Sequence, residues 1–155
     1  MGFINMNKKG SFVLVTTLFL LGFFLINHFP YGGNSSAIKS VEIAGQSIKV
    51  ELAITNAERE LGLSGRSGLK EDEGMLFVFP QPGNYPFWMK DMNFPIDIIW
   101  ISEEGKIVYL KKDARPQSYP GIFGPDEQVK YVLEVVSGFS DKFNLKVGDR
   151  VQFTY

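Results

Sequence analysis

The chain has 155 residues, of which 45% are hydrophobic and 21% charged, so it can form one globular domain with a short additional segment. Its formal net charge of -1 excludes the strongly basic class of nucleic-acid-binding proteins. Cysteine is absent and the single histidine, His28, lies outside the predicted domain, so disulfides, thiol chemistry and the commonest zinc ligands are excluded there. No metal site and no cofactor is therefore predicted.

The N-terminal segment differs from the rest of the chain. Residues 11–26, SFVLVTTLFLLGFFLI, are uncharged and follow two lysines. We interpret residues 1–29 either as a cleaved signal peptide, with Ser35 and Ala37 before the cleavage site, or as an uncleaved N-terminal membrane anchor. A buried helix of a soluble protein is a third interpretation, because the run is apolar on all sides. In the first two cases the domain lies outside the cytoplasm, either anchored to the cytoplasmic membrane or secreted.

A linker and a β domain follow this segment. Residues 30–40 contain PYGGNSSA, which is typical of a flexible linker, and residues 41–155 form the predicted domain. Apolar residues then alternate with polar ones in VEIAG and QSIKVELAI, which predicts two strands with a turn at Gly45-Gln46. In TNAERELGL, Thr55 and Glu58 have the spacing of a capping box, so a short helix is predicted.

The most aromatic stretch, PFWMKDMNFPIDIIW, predicts two strands joined by the loop DMNFP as a central hairpin. In the first strand, Phe87 and Met89 would point to one face, and Trp88 and Lys90 to the other. MLFVF before it is apolar at every position, which indicates a strand covered on both faces. Most of this aromatic density is thus expected to form core.

The remaining elements complete a mainly β pattern. IVYLKK, KYVLEVV and VQFTY predict further strands, and residues 113–128 an ordered surface loop. SGFSDKFNL predicts a second short helix, capped by Ser137 or Ser140. The predicted fold is a jelly-roll-like β-sandwich or partly open barrel with two short helices, preceded by an N-terminal apolar helix.

Four motifs occur in an order and spacing that resemble the prokaryotic DUF192 family: AERELGLSGR, GMLFVF, PFWMKDMNFPIDIIWI and YVLEVVSG with LKVGDRVQF. The resemblance implies a compact, mainly β sandwich, often with an export segment, and it implies no activity. Two departures from the family pattern stand out: Ser64 and Gly65 replace Met and an aromatic residue, and Asp91 and Met92 replace Asn and Thr. If these positions line a groove, its shape and charge differ from those of the family.

One charged residue is out of place in its strand. Asp97 lies within IDIIWI, where a buried carboxylate is costly unless it is paired. A structural ion pair with Lys90, Arg59 or Arg66 is one interpretation. The other is a cleft in which these groups and Trp88 bind a small anionic or saccharide ligand. The candidate ligand-binding residues are Arg59, Arg66, Trp88, Lys90, Asp91 and Asp97.

Three functions are compatible with these features. The first is an exported or membrane-anchored, non-catalytic binding or accessory module whose cleft lies near Trp88. The alternative is a carboxylate-dependent hydrolase acting on envelope carbohydrate, with Asp91 and Asp97 as acid and base. The third is an accessory protein bound to a membrane complex through an exposed apolar patch, which places several of Tyr119, Ile122 and Phe123 at the surface. The predicted partners are the membrane, if the N-terminal segment is uncleaved, and either a small anionic or saccharide ligand or an envelope protein. No nucleic acid is predicted as a partner.

Overall fold

The computed structural model describes residues 37–155, which fold into nine β-strands and two α-helices. The strands are β1 (Ser40–Ile43), β2 (Gln46–Ala53), β3 (Glu73–Gly83), β4 (Phe87–Trp88), β5 (Ile96–Ile101), β6 (Ile107–Ala114), β7 (Ile122–Phe123), β8 (Val129–Val136) and β9 (Val151–Thr154). The helices are α1 (Asn56–Leu61) and α2 (Phe139–Lys142). The mainly β class and the two short helices are confirmed.

The expectations for the N-terminal segment, residues 1–29, lie outside the described residues. From residue 37 onward, the chain contains no helix that is both long and apolar enough to cross a membrane.

Seven strands form one curled sheet in the order β6-β5-β8-β3-β2-β1-β9, and β4 pairs with β7 in a separate two-stranded sheet. Only β2 and β3 are parallel neighbours within the described residues, and α1 lies in the crossover that such a pair requires. At one end the two edges of the sheet meet: Lys106 bridges Arg150, and the Val151 N–H donates to the Gly105 carbonyl at 2.8 Å. The sheet is therefore a half-barrel.

Each face of this sheet carries a hydrophobic core. The inner core draws on all seven strands and on α2, and its largest members include Ile43, Ile48, Leu76, Ile99, Leu133 and Phe139. The outer core lies on the opposite face, and its largest members include Phe77, Phe79, Met89, Ile98, Trp100 and Leu63. Because adjacent residues of a strand point to opposite faces, β3, β5 and β8 contribute to both cores. This explains why their sequences are apolar at nearly every position.

Local sequence signals located the first helix correctly and the first turn to within one residue. The β1–β2 turn consists of Ala44 and Gly45, both with positive φ (49° and 74°), one residue before the predicted turn. Thr55 caps α1: its hydroxyl accepts from the Glu58 N–H, and the Glu58 carboxylate accepts from the Thr55 N–H at 2.7 Å. The predicted capping box is confirmed.

The predicted pairing of the aromatic stretch is wrong. β4 does not pair with β5 but with β7, so that Phe87 faces Phe123 and Trp88 faces Ile122. β5 instead lies between β6 and β8 in the large sheet. The predicted alternation is nevertheless confirmed, since Phe87 and Met89 pack into the outer core while Trp88 and Lys90 are exposed.

The predicted cap of the second helix is also wrong. The N-cap of α2 is Gly138, with φ 88°, and neither neighbouring serine caps the helix through its side chain. The Asp97 carboxylate accepts the helix N–H groups instead, from Gly138 at 3.3 Å and from Ser140 at 2.8 Å. The cap of this helix therefore comes from β5, more than forty residues earlier in the chain.

Candidate functional site

A groove of about 300 Å³ opens on the outer face of the sheet, between α1 with the loop that follows it and the segment around β4. Five aromatic residues contribute to its lining: Phe77, Phe79, Tyr85, Phe87 and Trp88. Its charged lining residues are Arg59, Glu60, Lys90 and Glu134. Aromatic faces combined with a few charged groups are typical of sites for small ligands.

Buried contacts hold the β4 side of this groove. The Trp100 indole N–H donates to the Tyr85 carbonyl at 2.9 Å and so anchors the β4 segment over β5. The Tyr85 ring stacks on Phe79 with centroids 3.5 Å apart, and Phe87 packs edge-on against Phe77 at 4.7 Å. The groove is thus formed by packed side chains before any ligand arrives.

Arg59 holds the α1 side. Its guanidinium donates to the carbonyls of Ile54 and Val78, the latter at 2.9 Å, and to the Asn56 side chain at 2.6 Å. It also lies 5.3 Å above the centre of the Phe79 ring. Since these contacts join α1 to β3, Arg59 acts mainly as a positioning residue of the groove wall.

The rim carries an exposed aromatic ring and a cation. Trp88 is 49% exposed, and the Lys90 ammonium lies 6.0 Å from the centre of its ring. Within residues 37–155 that ammonium forms no ion pair. Tyr119 and Ile122 extend the exposed apolar surface beside Trp88, with the Tyr119 ring 6.4 Å away. Lys90 and Trp88 are therefore free to contact a ligand from solvent.

Glu134 lies at the deep end of the groove. It stands on the central strand β8 between Met75 of β3 and Ile98 of β5, and it is only 4% exposed. Its Oε2 atom has no hydrogen-bond partner among the described residues. Burial raises the pKa of the Glu134 carboxyl to about 8, which the Arg66 guanidinium offsets only in part. The carboxyl is therefore mostly neutral at pH 7.

The predicted cluster of charged residues is not assembled. Arg59, Trp88 and Lys90 line the groove, whereas Asp97 is buried on the opposite face of the sheet. Its partners are backbone N–H groups, of which Asp113 donates at 2.9 Å, and not the predicted arginines or lysine. Asp97 therefore caps α2 and fixes the end of β6.

The other two predicted residues lie beside the groove. Arg66 forms an ion pair with Glu51 at 2.7 Å on the surface. Asp91 is exposed with φ 55°, and its carbonyl accepts from the Gly65 N–H at 2.9 Å. Neither side chain lines the groove.

The four positions that depart from the resembled pattern come together at the groove. Ser64 donates its hydroxyl hydrogen to the Lys90 carbonyl at 3.0 Å, next to the Gly65–Asp91 contact. Ser64 and Met92 themselves line the groove. The departures therefore alter the wall where the α1 loop meets the β4 segment.

Sequence reasoning missed Glu134, although a signal was present. Glu134 is the one charged residue within the run YVLEVV, as Asp97 is in IDIIWI. The same argument about a charge in an apolar strand applies to both.

The described residues contain no group of three or more His, Asp or Glu placed to hold a metal ion.

Comparisons with known proteins place the described domain in a structural context. The model of the family DUF192, described as "Uncharacterized ACR", matches residues 39–153. A candidate transcription regulator from Sinorhizobium meliloti 1021 has a similar structure, with a TM-score of 0.68 and 32% identity over 74% of this chain and 90% of that one. A protein of unknown function from Novosphingobium aromaticivorans DSM 12444 is similar too, with a TM-score of 0.70 and 29% identity over 74% and 84%. No curated protein matches the chain.

Proposed function

The chain belongs to the DUF192 family, and from the groove of its β domain we propose that it is a non-catalytic binding module for a small ligand with an anionic group or a sugar ring. The observation that carries this proposal is the pairing of Trp88 and Lys90 at the mouth of an aromatic groove. A half-exposed indole offers a face on which a sugar ring can stack, and an ammonium without an ion pair binds a carboxylate or phosphate.

We further propose that the domain works outside the cytoplasm, either anchored to the membrane or secreted. The support is in the sequence: residues 11–26 are apolar and uncharged, and two lysines precede them. Such a location would expose the groove to envelope saccharides and other envelope molecules. A domain there that has no cysteine must fold on its hydrophobic core alone.

A carboxylate-dependent hydrolase is the second candidate, and Glu134 is the observation that favours it. A general acid must be protonated at working pH, which a buried carboxyl with a raised pKa satisfies. Asp91 and Asp97 do not supply the pair, since neither lines the groove. The other acidic lining residue is Glu60, exposed on α1. Hydrolysis of an envelope saccharide by the wild type, lost in both Glu134→Gln and Glu60→Gln, would establish this candidate over simple binding.

The binding proposal is tested by tryptophan fluorescence of the full-length protein in a mild detergent. The chain has two tryptophans, of which Trp88 lies at the groove and Trp100 is fully buried. We expect D-glucuronate or inorganic phosphate to quench Trp88 in a saturable way. Lys90→Met should weaken this binding by about tenfold or more, because a charge-assisted contact is lost.

The matched control is Lys111→Met. Lys111 also lies over an aromatic ring, 4.8 Å from the centre of Phe123, but it does not line the groove. Its replacement should leave the affinity unchanged. Equal affinities of the wild type and Lys90→Met by fluorescence, and of the wild type and Trp88→Ala by isothermal titration calorimetry, for every probe that binds would overturn the proposed function.

A further inference from the structure

Glu134 occupies a position where an apolar residue would pack better. Its neighbours across the two flanking strands are Met75 and Ile98, and the alternation of β8 places it on the outer face together with Val132. A carboxyl buried there without a partner for Oε2 lowers the stability of the fold. A side chain of this kind at the deep end of an open groove is explained if a ligand supplies the missing partner.

We propose that Glu134 is a specificity-determining residue of the groove, whose buried carboxyl forms a hydrogen bond with an uncharged oxygen of an acidic sugar. This inference rests on the proposed binding function and names its ligand class. The sugar ring would stack on Trp88, its carboxylate would lie near Lys90, and a hydroxyl would reach Glu134. A neutral carboxyl suits a hydroxyl well, since it can donate one hydrogen bond and accept another.

The charges around Glu134 favour this assignment. Arg66 is the cation that acts on it most directly, but the Arg66 guanidinium is paired with Glu51 at 2.7 Å. Of the charged residues that line the groove, Arg59 is held by carbonyls, while Glu60 and Lys90 are exposed at the rim. The flanking positions on β3 and β5 are apolar. No cation among the described residues is thus hydrogen-bonded to the Glu134 carboxyl, and a ligand hydroxyl would meet it in its neutral form.

The test compares D-glucuronate with D-glucose in the same fluorescence titration of the full-length protein, using Glu134→Leu and Glu134→Gln. We expect glucuronate to bind more tightly than glucose. Glu134→Leu should weaken glucuronate binding by about tenfold, because it loses one hydrogen bond, whereas Glu134→Gln should stay within a few-fold of the wild type, because an amide still donates. Circular dichroism establishes that both variants fold.

The pH dependence gives a second and independent readout. Between about pH 6 and about pH 9, the wild type should lose affinity for glucuronate by about tenfold, because the ionised carboxyl no longer donates and repels an anionic ligand. Glu134→Gln cannot ionise and should hold its affinity over that range. Glu127→Gln, which replaces an exposed carboxylate that does not line the groove, should follow the wild type.

The outcomes separate this inference from the proposed function. If Lys90→Met loses glucuronate binding while Glu134→Leu binds as the wild type does, Glu134 is not the specificity determinant and the groove is still a binding site. A wild type that binds glucose and glucuronate equally, or phosphate but not glucuronate, also overturns the assignment to acidic sugars. If none of the three probes binds the wild type, both proposals fail.

Discussion

The Asp97 carboxylate accepts a hydrogen bond from the backbone N–H of Ser140 at 2.8 Å, across 43 residues of sequence. The same carboxylate accepts from the N–H groups of Asp113 and Gly138. One side chain of β5 therefore fixes both the end of β6 and the first turn of α2. Its role is structural, although the sequence pattern was also compatible with a ligand cleft.

Removal of this carboxylate should strongly destabilise the domain. We expect Asp97→Ala to lower the free energy of unfolding by about 3 kcal/mol, because buried N–H groups lose their acceptor. Asp97→Asn should cost nearly as much, because an amide NH₂ group would then face one of these donors. Urea denaturation of the full-length protein, followed by circular dichroism, measures both effects.

Asp141→Asn provides the control for the Asp97 variants. Asp141 belongs to the same helix but forms only an exposed ion pair with Lys112. Its replacement should change the unfolding free energy by less than about 1 kcal/mol. If Asp97→Ala were as mild as this control, the three hydrogen bonds would not stabilise the fold.

Glu134 should make stability fall as pH rises. Its folded pKa is about 8, raised by burial from an ordinary value of 4.5, so the folded state binds more protons than the unfolded state between these pH values. The stability that the neutral carboxyl contributes is fully present below pH 4.5 and is lost progressively as the pH rises to 8, because the unfolded state loses its proton first. The slope in this window should be about -1.4 kcal/mol per pH unit.

The contribution of Glu134 to the pH dependence is the difference in unfolding free energy between the wild type and Glu134→Gln, because the other ionisable groups are the same in both proteins. We expect this difference in unfolding free energy to change steadily between about pH 5 and about pH 8, and to be flat outside that window. Glu60→Gln should leave the slope of the wild type in place. Parallel curves for the wild type and Glu134→Gln would show that Glu134 ionises with an ordinary pKa.

Replacement of Glu134 by an apolar residue should stabilise the fold. Glu134→Leu removes a buried carboxyl with an unpartnered oxygen from a strand flanked by Met75 and Ile98. We expect the free energy of unfolding at pH 7 to increase by about 1 to 3 kcal/mol. Thermal unfolding measures this directly, and a Leu variant less stable than the wild type would mean that Glu134 has favourable contacts in the fold.

Local and long-range features differed in how far the sequence could predict them. The capping box of Thr55 and Glu58 and the alternation of Phe87 and Trp88 depend on neighbours within a few residues, so the sequence was sufficient. The partner of β4 was not, because β7 lies more than thirty residues further along the chain and only two residues of each strand pair. Short runs of aromatic residues do not specify which other run they join.

Of the residues that line the groove, the sequence indicated those near β4 but not Glu134 on β8. Trp88 and Lys90 were predicted to point to the same side, and both are exposed and line the groove. Asp97 and Glu134 have the same signature in the sequence, a single acidic residue in an apolar strand, yet they lie on opposite faces of the sheet. Which of the two meets the groove depends on how the sheet curls and on what covers each face. Those are properties of the tertiary fold and not of either strand.

Arg59 should contribute mainly to the stability of α1 and little to ligand affinity. Arg59→Ala removes the contacts to the carbonyls of Ile54 and Val78, so we expect a loss of about 2 kcal/mol in unfolding free energy. Hydrogen exchange of the α1 amides should become faster, since the helix has no buried residue of its own. Lys49→Ala, which removes an exposed ion pair with Asp72, should change neither quantity by a comparable amount.

Trp88 and Trp100 should be distinguishable by fluorescence. Trp88 is 49% exposed at the groove, whereas Trp100 is fully buried with its indole N–H on the Tyr85 carbonyl. Trp88→Phe should therefore shift the emission maximum to shorter wavelength and remove most of the quenching by iodide, because the remaining indole is out of contact with water. Iodide titration of the wild type and the variant measures this. An emission in Trp88→Phe that iodide still quenches as in the wild type would show that the groove opens as far as Trp100, and it would place the aromatic floor within reach of solvent.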